Sequence, residues 1–84
     1  MALALVTGSY GGLGTEFVKI HASKGGNLIL VGRSQAKLDE QKAQVEAEYQ
    51  VTAHTIAADL STEESAQFIY DECKKLGLLP DYFI

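Results

Sequence analysis

The sequence predicts an α/β fold of the doubly wound type, with a parallel sheet between layers of helices. Three observations support this. Short apolar runs alternate with segments of helical periodicity, in the order βαβαβα followed by the start of a fourth strand. Residues 28–31 are apolar at every position, as in a strand buried on both faces. Each helix lies between two strands, which predicts right-handed crossovers, a parallel sheet and the strand order 3-2-1-4.

The first strand–helix unit covers residues 2–26. Residues 2–6 predict a strand that stops at a glycine-rich turn. The helix that follows is expected to end at Gly25 and Gly26, because glycine reaches positive φ without steric cost. Leu13, Phe17, Ile20 and Lys24 recur at helical spacing, which predicts this helix.

The second unit covers residues 28–49. Its strand is followed by Ser34, a residue type that caps helix N-termini, and the helix is expected to run to about Tyr49. The apolar stripe of this helix is thin, so much of its surface is predicted to face solvent. That stripe consists of Leu38, Val45 and Tyr49.

The third unit begins with a predicted strand over residues 51–58. Ser61 and Glu64 then match a capping box at the start of a third helix, which Gly77 ends. Residues 81–84 predict the beginning of a fourth strand. The buried face of the third helix is expected to contain Phe68, Ile69, Cys73 and Leu76.

Composition restricts the possible functions. Eighty-four residues, 46% of them hydrophobic and 21% charged, predict one small folded domain over residues 1–84. The net charge of −4 provides no basic field, so neither nucleic acid nor a membrane is an expected partner. Cys73 is the single cysteine, which favours a reducing, cytoplasmic location. His21 and His54 have no ligand partners at metal spacing, so no metal site is expected.

The turn over residues 7–14 separates the first strand from the first helix. Glycines there permit a tight bend, close approach of a pyrophosphate and close packing of helix on sheet. The helix N-terminus adds N–H groups and a partial positive charge. The general G-x-G-x-x-G pattern fails at Phe17. Two related patterns fit, T-G-x-x-x-G-x-G over residues 7–14 and G-x-x-G-x-x-G over residues 8–14.

The first of these patterns resembles the single-domain short-chain dehydrogenases/reductases, and the second is typical of their extended, epimerase-like members. Residues 28–34 are similar to the second strand of NADP-preferring members, and residues 57–61 to the segment after the third strand. The resemblance covers essentially the whole chain and implies the first half of a Rossmann-type fold. It implies cofactor contacts by Gly8, Ser9, Tyr10, Gly12, Leu13, Gly14, Arg33, Ser34, Asp59 and Leu60.

The resemblance favours NADP(H) over NAD(H) as the cofactor. NAD-specific relatives have an acid near the end of the second strand, which accepts from the ribose hydroxyls and repels a 2′-phosphate. Gly32 stands at that position, and Arg33 offers a planar cation to the phosphate. Many NADP-using members carry a basic residue where this chain has Gly11. Taken alone, Arg33 could be a solvated surface residue, and Asp59 an ordinary helix-entry residue.

The resemblance implies an oxidoreductase that interconverts a small carbonyl and an alcohol, and it implies a homo-oligomer. The family's catalytic groups come from the second half of the domain, so no catalytic residue is assigned and this chain is expected to be inactive alone. Tyr70 and Lys74 match Y-x-x-x-K by count only, on the helix before the fourth strand. Two alternatives remain. One is a nucleotide-binding module without chemistry, and the other is part of an extended member such as a sugar epimerase, against which Gly32 and Arg33 argue.

Overall fold

The structure is a computed structural model that describes residues 3–59 and 63–83. Within these residues strands and helices alternate, which confirms the predicted α/β fold. Leu60, Ser61 and Thr62, and with them the predicted capping box, lie outside the described residues. The elements are β1 (Leu3–Thr7), α1 (Gly12–Ser23), β2 (Asn27–Gly32), α2 (Gln35–Tyr49), β3 (Ala53–Ala57), α3 (Glu63–Leu76) and β4 (Tyr82–Phe83).

The four strands form one parallel sheet in the order β3-β2-β1-β4. The β1–β2 ladder runs from Leu3↔Asn27 to Thr7↔Val31, and the β2–β3 ladder ends at Gly32↔Ala57. The β1–β4 ladder has two residue pairs. Because the strands are parallel, the segments that follow β1, β2 and β3 meet at one edge of the sheet. That edge contains the glycine turn.

Helices α1 and α2 cover one face of the sheet, and α3 covers the other. Strand β2 contributes to both cores: Leu28 and Leu30 pack with α1 and α2, whereas Ile29 and Val31 pack with α3. All four side chains are fully buried, as the continuous apolar run predicts. None of the three helices in the described ranges has the length and hydropathy needed to cross a membrane.

The side chains that α1 buries are not those that recur at helical spacing in the sequence. Leu13, Phe17 and Ile20 are 80%, 44% and 52% exposed, whereas Val18 and Ala22 are 1% exposed. The buried side chains fall at helical spacing after Gly14, whose Cα lies against the backbone of the turn. Val18 and Ala22, which pack on the sheet, thus lie four and eight residues after the close contact at Gly14. Periodicity located the apolar stripe of α1 but not the face that packs.

The ends of the helices agree with those predicted from the sequence. The Ser34 hydroxyl accepts from the Lys37 N–H at 3.3 Å and caps α2 as predicted. Gly25 and Gly77 follow α1 and α3 with φ of 81° and 71°. On α3, Ile69 and Cys73 are buried as expected. Phe68 and Leu76, also predicted to be buried, are about half exposed, because the small sheet covers only part of this helix.

Candidate functional site

The turn between β1 and α1 is shaped by backbone contacts. Gly8 has φ of 60°, and its carbonyl oxygen accepts from the Gly11 N–H at 2.9 Å. Gly11 is the N-cap of α1 and provides no side-chain cap, and the first turn of the helix carries no acidic residue. The first N–H groups of a helix have no acceptor within the helix. The exposed start of α1 can therefore donate to an anion.

Packing within the protein requires glycine at position 14 but not at position 12. A Cβ on Gly14 would overlap the carbonyl group of Gly8, so close packing of α1 on the turn requires glycine there. Apart from its chain neighbours and its own helix backbone, no atom of the described residues would lie within 4 Å of a Cβ on Gly12, and the φ of Gly12 is not positive. Neither packing nor backbone conformation within the chain therefore explains glycine at position 12.

Ser9 is buried, and its polar groups are engaged within the protein. Its N–H donates to the Val31 carbonyl at 3.2 Å, and its hydroxyl donates to Gln41 Oε1 at 2.7 Å. Its carbonyl accepts from Gln41 Nε2 at 2.7 Å and from the Thr15 hydroxyl at 3.4 Å. Ser9 therefore fixes the shape of the turn, because its N–H and hydroxyl both have protein acceptors. The expected contact of Ser9 with a cofactor stays a prediction.

Gln41 is the site residue that the sequence interpretation missed. It lies on α2 between Leu38 and Val45, at the spacing of the buried stripe. A glutamine among buried apolar positions signals a polar partner, since a buried amide must form hydrogen bonds. That partner is Ser9, in the glycine turn. Helix α2 therefore supports a turn to which it is not adjacent in the sequence.

The Tyr10 side chain joins the turn to the end of β2. Its hydroxyl oxygen accepts from the Arg33 N–H at 3.1 Å and from the Ser34 N–H at 3.0 Å. Its ring lies against Gly32, where an added Cβ would be 2.5 Å from Cε2. Lys37 Nζ lies 5.3 Å from the ring centroid, within cation–π range. The ring is thus held by Gly32, by Lys37 and by two main-chain donors.

A groove of about 360 Å³ runs along this edge of the sheet. It brings the glycine turn together with Arg33, whose side chain is exposed, and with Asp59. A second cavity of about 380 Å³, between α1 and α2, shares Tyr10 as a wall and includes Lys37 and Gln41. The first groove is lined by Gly8, Tyr10, Gly11, Gly32, Arg33, Ala58 and Asp59.

The remaining predicted site residues surround this groove or fall outside the described part of the chain. Gly12, Leu13 and Gly14 form the first turn of α1, and Ser34 caps α2 beside Arg33. Leu60 lies outside the described residues. Over residues 3–59 and 63–83, no group of three His, Cys, Asp or Glu side chains could hold a metal ion. The structure thus gathers main-chain donors and one arginine, which suits a phosphorylated ligand better than a cation.

Tyr70 and Lys74 lie on α3, which covers the opposite face of the sheet from α1. Lys74 Nζ lies 5.4 Å from the Tyr70 ring centroid, and both side chains are exposed. Burial raises the pKa of the Cys73 thiol on the same helix, with a smaller contribution from Glu72. These groups are distant from the glycine turn in the fold. They take no part in the groove.

A family model described as short chain dehydrogenase matches residues 2–79. The chain belongs to the short-chain dehydrogenase family. A very-long-chain 3-oxoacyl-CoA reductase from Scheffersomyces stipitis is 40% identical over 74 residues, which are 88% of this chain and 20% of the relative. The human protein of the same name is 31% identical over an alignment of 97 positions, which covers 96% of this chain and 30% of that protein. The chain therefore spans between a fifth and a third of these two short-chain dehydrogenases.

Solved short-chain dehydrogenase structures support the same fold. The NADPH-dependent 3-quinuclidinone reductase from Rhodotorula rubra is 27% identical, with a TM-score of 0.81 over 96% of this chain and 31% of that one. L-sorbose reductase from Gluconobacter frateurii, solved with NADPH and L-sorbose, is 23% identical, with a TM-score of 0.91 over 98% and 31%. An NAD⁺-bound xylitol dehydrogenase is 24% identical, with a TM-score of 0.82 over 98% and 31%. Structures with either dinucleotide thus share the fold of this chain.

Proposed function

We propose that residues 1–84 form the NADP(H)-binding unit of a short-chain reductase. The observation that carries this proposal is the meeting of the α1 N-terminus and Arg33 along one groove, with Gly32 in place of an acid. The adenosine part of NADP(H) carries a pyrophosphate and a 2′-phosphate. The α1 N-terminus suits the pyrophosphate, and the Arg33 guanidinium suits the 2′-phosphate. The similarity to the NADPH-dependent 3-quinuclidinone reductase supports the same assignment.

The pyrophosphate of the dinucleotide is proposed to bind at the start of α1. The main-chain N–H groups of the first turn supply donors, and the helix dipole adds a partial positive charge. Glycine at position 12 supports this assignment, because its open side lets a phosphate approach the backbone without meeting a Cβ. Gly14 serves the packing of α1, and Ser9 with Gln41 holds the turn in shape.

The 2′-phosphate is proposed to bind beside Arg33. A guanidinium pairs with phosphate through parallel N–H donors, and Gly32 carries no carboxylate to repel it. Ser34 follows directly and can add its N–H group. Asp59 and Ala58, at the end of β3, line the far wall of the groove, where the family resemblance implies the adenine.

A titration of NADPH and NADH into wild type and Arg33→Ser tests the cofactor assignment. A hydrogen bond to a charged group is worth roughly 1.5–3 kcal/mol, so wild type is expected to prefer NADPH about ten- to a hundred-fold. Arg33→Ser should lose most of that preference and leave NADH affinity nearly unchanged. Lys75→Ser is the matched control, since it removes one exposed positive charge from α3. Equal affinities for both cofactors in wild type would contradict the proposal.

Placing an acidic side chain at the end of β2 should reverse the preference from NADPH to NADH. Gly32→Asp combined with Arg33→Ser places a carboxylate where it accepts from free ribose hydroxyls and repels a 2′-phosphate. The new side chain would overlap the Tyr10 ring, so Tyr10 must move to admit it. Tyr10→Ser should therefore be added as a third change, with Tyr10→Ser alone as its control. Continued preference for NADPH in the triple variant would contradict the assigned position of the 2′-phosphate.

The reaction proposed for the whole protein is hydride transfer between the nicotinamide and a small carbonyl or alcohol. The bound cofactor supplies the hydride, and this chain's residues bind and orient it. The names of the curated relatives make a 3-oxoacyl thioester the first ketone to test. This chain alone should not consume NADPH with any ketone, because the family resemblance assigns the proton donor and the substrate pocket to the second half of the domain. Cofactor consumption above the protein-free rate would contradict that expectation.

One alternative to a reductase is a nucleotide-binding module that catalyses no reaction. An experiment on the full-length protein distinguishes the two. A full-length protein that binds NADPH tightly but transfers no hydride to any carbonyl would favour the module.

A cytoplasmic location is proposed on the basis of the free, buried Cys73, which persists as a thiol in a reducing compartment.

A further inference from the structure

We propose that Tyr10 limits the preference of this site for NADP(H) by competing with the 2′-phosphate for main-chain donors at the start of α2. The inference rests on the proposed NADP(H) function and adds a specificity-determining residue to it. Tyr10 lies in the glycine turn but directs its hydroxyl to the segment after β2. That segment carries Arg33, the proposed partner of the phosphate.

The competition follows from the hydrogen bonds of the Tyr10 hydroxyl. Its oxygen accepts from two adjacent N–H groups, those of Arg33 at 3.1 Å and Ser34 at 3.0 Å. Two neighbouring donors that converge on one oxygen also suit a phosphate oxygen, which is a stronger acceptor because it is charged. A phosphate paired with the Arg33 side chain would approach these same donors. The tyrosine oxygen and the phosphate oxygen cannot occupy that position together.

The effect should depend on whether the ribose is phosphorylated. A 2′-phosphate must displace the Tyr10 hydroxyl before it can take both N–H groups. A free 2′-hydroxyl gains little from that displacement, because it is neutral and forms weaker hydrogen bonds. The Tyr10 hydroxyl therefore weakens binding of the phosphorylated nucleotide in particular. It moderates a preference that Arg33 creates.

The position of the ring depends on Gly32. A Cβ there would lie 2.5 Å from Cε2 and 3.1 Å from the hydroxyl oxygen of Tyr10, so only glycine leaves the ring in place. Lys37 holds the same ring through its ammonium group. Gly32 thus has two consequences for the site: it withholds an acid from the ribose, and it admits the competing tyrosine.

Titration with two adenosine phosphates isolates this end of the ligand. The probes are adenosine 2′,5′-bisphosphate and 5′-AMP, and the proteins are wild type, Tyr10→Phe and Gly32→Ala. Tyr10→Phe keeps the ring but removes the acceptor, whereas Gly32→Ala keeps the hydroxyl but displaces the ring. Tyr70→Phe is the matched control. The Tyr70 ring also lies beside a lysine ammonium, with Lys74 Nζ 5.4 Å from the ring centroid, but on the opposite face of the sheet.

Both site variants should bind the bisphosphate between about two-fold and ten-fold more tightly than wild type, the range expected for removal of a hydrogen-bonding competitor. Their affinities for 5′-AMP should change by less than about two-fold, and Tyr70→Phe should match wild type with both probes. An unchanged or weaker affinity for the bisphosphate in Tyr10→Phe, with wild type still preferring it, would overturn this inference and leave the proposed function intact. Absence of that preference in wild type would overturn both.

Discussion

Ser9 and Gln41 hold each other through two hydrogen bonds of 2.7 Å across 32 residues of sequence. The Ser9 hydroxyl donates to the amide oxygen of Gln41, and the amide nitrogen donates to the Ser9 carbonyl. Both residues are buried, so water does not replace either bond. The shape of the glycine turn therefore depends on a helix that begins after the second strand.

Gln41→Leu should lower the free energy of unfolding by about 2–3 kcal/mol. The substitution leaves the buried hydroxyl and carbonyl of Ser9 without their strong partner, and unsatisfied buried groups cost about 1–3 kcal/mol each. Urea denaturation followed by circular dichroism measures the change. Gln44→Leu is the matched control, exposed on the same helix, and should shift stability by less than about 0.5 kcal/mol. Equal effects of the two variants would show that the Ser9 contact contributes nothing.

Gly12→Ala and Gly14→Ala should separate binding from folding. At position 12 the methyl group meets no protein atom, so stability should be unchanged or raised by up to about 1 kcal/mol. NADPH affinity should fall at least about ten-fold there, because the methyl group obstructs the approach of the pyrophosphate.

At position 14 the methyl group meets main-chain atoms of Gly8 and Ser9, which cannot swing aside as a side chain would. Gly14→Ala should therefore lose about 1–3 kcal/mol of stability or more. Thermal melting and calorimetric titration of both variants provide the comparison. A Gly12→Ala protein that binds NADPH as wild type does would remove the argument for phosphate binding at this point.

Cys73 should make the fold less stable at alkaline pH. The thiol is 4% exposed, and burial raises its pKa above the ordinary value of 9.0. The unfolded chain then releases this proton at a lower pH than the folded chain does. Stability is therefore complete below about pH 9 and falls as the pH rises from there through the raised pKa.

Cys73→Ala removes this ionisation and provides the control. It should cost about 1 kcal/mol at pH 7, where it deletes one buried sulfur atom. The difference in the free energy of unfolding between variant and wild type should narrow as the pH rises above about 9, as measured by urea denaturation at each pH. A difference that stays constant as the pH rises would mean that Cys73 has the same pKa in both states.

The apolar stripe of α1 should cause self-association. Leu13, Phe17 and Ile20 lie at helical spacing on an exposed face, and His21 on the same helix contacts the exposed Tyr82 ring of β4 with centroids 6.2 Å apart. Contiguous exposed apolar surface of this kind is typical of interaction sites. Sedimentation velocity over a concentration series should detect dimers or larger species in wild type.

Ile20→Lys should shift that equilibrium toward the monomer without lowering the melting temperature, because Ile20 is already half exposed. Glu16→Lys, at another exposed position on α1, tests whether added charge alone has this effect. Wild type that remains monomeric at high concentration would rule out association through this stripe.

Local chemistry in the sequence was sufficient for the element order and most helix ends. Ser34 caps a helix through its own hydroxyl, and Gly25 and Gly77 reach positive φ, so residue type alone predicts these boundaries. The continuous run over residues 28–31 predicts two-sided burial for the same reason. The packed face of α1 depends on how closely Gly14 approaches the turn, which is a tertiary contact that periodicity does not contain.

The site was predictable in its backbone and less so in its side chains. Residues that follow parallel strands must gather at one sheet edge, so the sequence predicted that the glycine turn and Arg33 lie close together. The contact between Ser9 and Gln41 was missed, because Gln41 lies on another element. The contact between Tyr10 and residues 33 and 34 was missed for the same reason, since a tyrosine in a turn has no sequence signal for its hydrogen-bond partners.

Hydrogen bonds between Leu3 and Asp81 join the two ends of the described chain. The Leu3 N–H donates to the Asp81 carboxylate at 2.7 Å, and the Asp81 N–H donates to the Leu3 carbonyl at 2.7 Å, across 78 residues. Two ladder pairs follow this junction, compared with five between β1 and β2. Loop closure grows less favourable with length, and few pairs offset it here. Strand β4 should therefore be the first strand to detach from the sheet, which would expose the main-chain groups of β1 on that side.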